Sequence, residues 1–278
     1  MSMPFGYVPA EQQMRDKADY ARKGIARGRS SVVLQYEHGI LFVAHNASRA
    51  LHKISEIYDR IGFAAVGRYN EFEALRLGGI RYADINGYTY DRGDVTARGL
   101  ANLYAQNLGM IFTDSIKPYE VELVVAEVGE TSDADQLYRL TFDGSVTDEH
   151  GAVALGGQVD AVAGRLKEHY REGLSLAEAL RVGVTALTEP DGERPPTSQL
   201  EVAVLDRNRP HRKFLRLTGA RLERLLAEGT PAAPEAAEAP EAQERQAEPP
   251  AQAAPPPAPG PDVPPTAPEG DIDTGSGG

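Results

Sequence analysis

The 278-residue chain contains no cysteine. That excludes disulfides, thiolate metal ligands and a cysteine nucleophile, and it suits a reducing cytoplasm. No apolar run approaches the roughly 20 residues that span a bilayer, so no membrane partner is expected. Pro4, Gly6 and Pro9 come before any long apolar segment, unlike a secretory signal. A glycine-rich phosphate loop is missing, since neither G-x-G-x-x-G nor G-K-[ST] occurs, and no cofactor is expected. An excess of positive charge is missing too, which leaves nucleic-acid binding without electrostatic support.

The charge that is present is uneven. The formal net charge is −12, and residues 230–278 carry nine acidic residues against one basic. The same stretch holds 13 of the 20 prolines and almost no large apolar side chain. Such a segment cannot bury enough surface to offset its ordering entropy, so 230–278 is expected to be a disordered acidic Pro/Ala-rich tail. The remaining body has 32 acidic and 28 basic residues and is nearly neutral. Within it, residues 9–229 are expected to fold. Residues 1–8, short and aromatic, read either as a frayed end or as a segment that docks on another subunit.

The body is organised around residues 30–68. Runs at 32–36, 40–44, 53–58 and 61–66 are rich in β-branched and aromatic residues, and none reaches helical length. They predict two successive hairpins forming one early sheet. Ahead of them, Pro9 to Lys23 predicts a helix with a narrow, alanine-rich face, fit for its own domain or for a neighbouring copy. After them come two helices, one opened by Asn70 and Glu73 as a capping box and one capped by Asp94 or Thr96. Strands follow at 119–128, 136–142 and 146–155, the last two joined by the Asp143-Gly144 turn. Two further helices carry the stripe Val159, Val162, Leu166 and the Ser175–Glu178 cap. Strands at 200–205 and 213–217 and a short helix from Thr218 close the body. Short turns between strands predict antiparallel sheets. Two sheets face to face, each covered by a helix pair, give an α+β fold of four layers, αββα.

Chemistry is sparse. His38, His45 and His52 recur every seven residues, but on strands odd spacing sends side chains to opposite faces, which argues against a metal site. The αββα architecture invites an N-terminal nucleophile, and Ser30 stands at the start of the first strand. It would need the chain to be cut before it, so that a free α-amine could act as base. A self-processed hydrolase is therefore one reading, a binding module without a ring another.

Long runs of the chain resemble a known family. AEQQMRDKADYARKGIARGRSSVVLQYEHGILFVAHN, SRALHKISEIYDRIGFAAVGRYNEFEALRLGGIRYADINGYTYDRGDVT, LANLYAQNLGMIFT, KPYEVELVVAEVG, LYRLTFDGS and LEVAVLDRNRP are similar to α subunits of the bacterial, actinobacterial-type proteasome core particle. The resemblance implies the fold of N-terminal-nucleophile hydrolases without the nucleophile. It implies a homo-heptameric α ring stacked on rings of β subunits, which carry the catalytic threonine. It implies a ring-shaped ATPase that docks its C-terminal tails between α subunits and delivers unfolded, tagged protein substrates. Matched by motif, Lys53 in HKISEI would pair with the tail's terminal carboxylate; from the residues alone a solvated strand lysine is the favoured reading, and the resemblance reverses that order. Residues 1–8 would form the gate of the axial pore, with Met1, Met3, Phe5, Tyr7 and Val8 as its apolar side chains. The family's archaeal and eukaryotic members carry Tyr-Asp-Arg before the leading helix; here that stretch is PFGYVPAEQ, and Tyr58-Asp59-Arg60 lies elsewhere.

Overall fold

Strand residues with apolar neighbours on both sides must be covered on both faces, and this chain meets that demand with two facing sheets. The computed structural model describes residues 9–189 and 192–228. Its helices are α1 (Ala10–Ala26), α2 (Tyr69–Thr89), α3 (Ala97–Asp114), α4 (Val159–His169), α5 (Leu176–Ala186) and α6 (Gly219–Glu228). Its strands are β1 (Ser31–Tyr36), β2 (Gly39–His45), β3 (Ile54–Tyr58), β4 (Ile61–Gly67), β5 (Val121–Glu127), β6 (Gln136–Leu140), β7 (Val146–Glu149), β8 (Ala152–Leu155), β9 (Leu200–Asp206) and β10 (Phe214–Leu217). They form two antiparallel five-stranded sheets, ordered β10-β9-β2-β1-β8 and β3-β4-β5-β6-β7.

The expected four layers are present. Alternation along β1 and β2 sends Val32, Leu34, Leu41 and Val43 outward to α4, α5 and α6, and Val33, Ile40 and Phe42 inward between the sheets. On the second sheet, Phe63, Ala65, Leu123 and Val125 face α2 and α3, while Ala64, Val66, Val124 and Ala126 face the first sheet. Phe42 and Phe63 are both essentially inaccessible to solvent. Truncating either to alanine should cost about 3–5 kcal/mol, the usual range for a buried aromatic.

Several local expectations change. The two early hairpins do not share a sheet: β1–β2 seeds the first and β3–β4 the second. The run at 146–155 is two strands in different sheets, because the chain turns at Gly151, whose φ is +74°. Pro9 is the residue before α1, not its first helical residue, and α1 continues to Ala26. Asn70 and Glu73 form no capping box; α2 opens after Arg68 with no side-chain cap, and Glu73 pairs with Arg76 instead. Thr96 caps α3, accepting from Gly99 N at 3.1 Å, and Ser175 with Glu178 forms the expected capping box of α5.

Helix α1 buries apolar side chains on the sandwich through its second half. Ala21 and Ile25 are buried against Phe142, with Ala18 and Phe112 beside them. Gly24 lies on Glu120, so closely that a Cβ there would meet the Glu120 carboxylate oxygen at 1.9 Å. In the first half, Lys17 Nζ donates to the Phe112 and Thr113 carbonyls at the end of α3. Residues 10–13 are exposed. The gate residues assigned from the sequence, Met1 to Val8, and the tail at 230–278 lie outside the described residues.

Candidate functional site

Lys53 follows a short loop that is tied down by its own polar residues. Asn46 follows β2, and its Oδ1 accepts from Ser48 N at 3.0 Å, making an Asx turn. Ser48 Oγ accepts from Leu51 N at 3.0 Å, and Asn46 Nδ2 donates to Leu51 O at 2.8 Å. The loop therefore closes on itself just before Lys53, immediately ahead of β3 in the second sheet.

The lysine reaches back to the first sheet. Its Nζ donates to the carbonyls of Arg29 at 2.7 Å and His45 at 2.9 Å. An ammonium has three hydrogens, and no third acceptor lies within hydrogen-bond distance among the described residues. Both acceptors are neutral peptide oxygens. Burial pushes the lysine down to about 8; the Glu201 carboxylate opposes that fall and the Arg29 guanidinium adds to it. The result is a half-buried cation held by dipoles rather than by a counter-charge.

Arg29 and His45 also line a cleft of about 160 Å³, with Ser30, Arg165, Leu187 and Glu189. The His45 ring is buried. Arg29 Nη1 lies 3.1 Å from its Nδ1 and 2.8 Å from its Nε2, and Nε2 also lies 2.9 Å from Gln199 Oε1. Burial lowers the histidine's affinity for a proton and Arg29 lowers it further, while Gln199 and Glu189 oppose. Glu189 stands 3.8 Å from both Arg29 and His45.

The other sequence candidates are dispersed. His38 sits in the β1–β2 turn, His45 at the far end of β2 and His52 in the exposed loop beside Glu201. No cluster of three or more metal-ligating side chains occurs among the described residues. Ser30 lines the cleft, but no hydrogen bond joins its hydroxyl to Lys53 or His45 among the described residues. No described helix is long and apolar enough to cross a membrane. Sequence reasoning missed Glu201, Arg29, His45 and Gln199 as the surroundings of Lys53. Glu201 carried a signal: it shares strand parity with Ala203 and Leu205, which face the space between the sheets.

Known proteins match this chain closely in sequence. The family model described as proteasome subunit matches residues 25–205. A protein of Streptosporangium roseum called proteasome subunit alpha is 76% identical over the whole of both chains. Proteins of the same name from Thermomonospora curvata and Thermobifida fusca are 74% and 65% identical. Each alignment covers 82% of this chain, with 100% and 92% of the relative.

Proposed function

The chain belongs to the proteasome subunit family, as an α-type member, and from that premise we propose that it is the non-catalytic subunit that gates and docks. Seven copies form the outer ring of a cytoplasmic core particle. Inner rings of β subunits supply the catalytic threonine. A ring-shaped ATPase docks on the outer face and feeds unfolded, tagged proteins through the pore. Residues 1–8 form the gate, residues 9–229 the ring-forming domain, and residues 230–278 a tail.

One observation carries the docking reading: among the described residues the Lys53 ammonium is anchored by two carbonyls, has no carboxylate partner and keeps a hydrogen to donate. Such a cation is completed by an incoming carboxylate, and a chain terminus brings one. In a partly dry groove that pair outweighs a surface ion pair. The exposed start of α1 at residues 10–13 is compatible with the gate.

Lys53→Ala in the assembled particle is expected to abolish stimulation by the ATPase while rings still form, read by native mass and by degradation of a tagged substrate. Equal stimulation of wild type and variant would discard the docking role. Deleting residues 1–8 is expected to raise hydrolysis of small peptides without the ATPase, and unchanged hydrolysis would count against the gate. Intact mass separates this reading from a self-processed hydrolase, which would begin at Ser30.

A further inference from the structure

The docking lysine is placed by a residue that never touches its ammonium. Glu201, on β9, is nearly buried, with 9% of its side chain exposed. Five donors converge on its carboxylate. Oε2 accepts from Lys53 N at 2.9 Å and Asn46 Nδ2 at 2.8 Å. Oε1 accepts from Ile54 N at 3.2 Å and Arg216 Nη1 at 2.7 Å, with His52 Nδ1 at 3.2 Å. Arg216, on β10, also donates to the Ile54 carbonyl at 2.5 Å.

The connectivity gives this cluster its meaning. β9 and β10 belong to the first sheet and β3 to the second. Glu201 therefore clamps the entry of β3 onto the opposite sheet at the residue whose side chain must reach the Arg29 and His45 carbonyls. Asn46 ties the other end of the loop to the same carboxylate. With both loop ends fixed, the lysine stem has one path across the seam. Burying a carboxylate is costly unless its oxygens are filled, and five donors fill them. An apolar residue at this place would leave the Lys53 and Ile54 amides without an acceptor, so the carboxylate holds the backbone on which the lysine stands.

We propose that Glu201 is the positioning residue for Lys53: it fixes the backbone from which the ammonium reaches, and supplies the negative field that keeps that ammonium charged for an incoming carboxylate. The inference rests on the docking reading above. Charged groups around Lys53 are Glu201 from β9, Arg29 ahead of β1, His45 on β2, Glu189 after α5, His52 in the loop and Arg216 on β10.

The test uses assembled core particle and a synthetic peptide copying the ATPase C-terminus, as free acid and, for the blank, as amide. Affinity is followed from about pH 6 to pH 10, a range that brackets the neutral and charged lysine. Glu201→Gln presents an NH₂ group to at least one donor pair and removes the field. It is expected to weaken docking about tenfold and to move the alkaline loss of docking to lower pH. Arg216→Met leaves the Glu201 charge less compensated and is expected to move that loss to higher pH. Full affinity with an unmoved profile in Glu201→Gln overturns the inference, and so does weakened docking with an unmoved profile, which is plain structural damage. If Glu201→Gln does not assemble, the Arg216→Met profile decides, and no shift there overturns it. Lys53→Ala that still docks the free acid overturns the docking reading itself, a separate outcome.

Discussion

Lys53 and Lys117 are both set beside nearly buried glutamates, yet the fold treats them in opposite ways. Lys117 lies under α1, between α3 and β5, and donates to Glu71 Oε1 at 2.7 Å, to the Pro118 carbonyl at 3.0 Å and stands 2.9 Å from Glu120 Oε1. Arg68 closes the cluster, 3.4 Å from Glu120. Burial alone would lower Lys117, but Glu71 and Glu120 outweigh it and the group is raised. Lys53 meets only carbonyls, and its neighbouring glutamate is spent on backbone and other side chains. One centre is closed and holds α1 to the sandwich. The other leaves an ammonium bonded to carbonyls alone among the described residues, which suits the proposed docking role. What separates structure from function here is which atom of the lysine the carboxylate takes.

The comparison breaks most visibly in stability. Lys117→Met leaves Glu71 and Glu120, with side chains 7% and 8% exposed, facing each other with only the longer contacts to the half-exposed Arg68. The expected loss is about 2–3 kcal/mol, at the lower end for a broken buried pair because Lys117 itself is partly solvated. Lys53→Met removes a charge that burial disfavours, so stability is expected to stay within about 0.5 kcal/mol or rise. Urea unfolding of both variants checks this, and equal losses would erase the distinction.

The next effect is on pH. Lys53 must be charged to hold a carboxylate, and its folded value is lowered to about 8. Docking is therefore expected to be full below about pH 8 and to fall about tenfold per unit above it, until the higher value of the bound lysine is reached. Stability moves the other way: between about pH 8 and the unfolded lysine value the unfolded chain holds more protons, so this group favours folding as pH rises. Lys117, being raised, contributes fully below the unfolded lysine value and loses its contribution only as pH climbs through its raised folded value. Peptide affinity and urea midpoints measured over one pH series separate the two.

A smaller effect tests how the closed centre holds α1. Gly24→Ala puts a methyl group into the Glu120 carboxylate. Better helix propensity offsets part of the clash, leaving an expected net loss of about 1 kcal/mol. Faster amide exchange across α1 with unchanged exchange in β1 and β2 is the expected signature, since Lys53 and its carbonyls lie outside that contact.

How much of this was legible in the sequence depended on the range of the cause. The Asp143-Gly144 hairpin, the Ser175–Glu178 cap and the inward and outward faces of β1 and β2 are local, and alternation or turn chemistry shows them. The separation of the two early hairpins is not local. β2 and β4 are apolar on both faces, so either could pair with the other, and the choice falls to β9 and β5, far along the chain. The break within 146–155 had Gly151 as its sign, which also reads as an ordinary strand glycine. Lys53 came from the family resemblance; its half-buried setting between two carbonyls depends on residues 24 and 8 positions away, beyond any periodicity.

The finest distinction lies within the Glu201 centre itself. His52 is one of its five donors, but 46% of its side chain is exposed, against 9% for Glu201. Water replaces an exposed donor readily, whereas the Lys53 and Ile54 amides have no such substitute. His52→Ala is therefore expected to change stability by less than about 0.5 kcal/mol and peptide affinity by less than about twofold. Amide exchange at Lys53 and Ile54 should stay slow. A larger loss, with fast exchange at those two amides, would mean that the exposed histidine helps hold the carboxylate in place, as the half-exposed Arg68 helps to close the other centre.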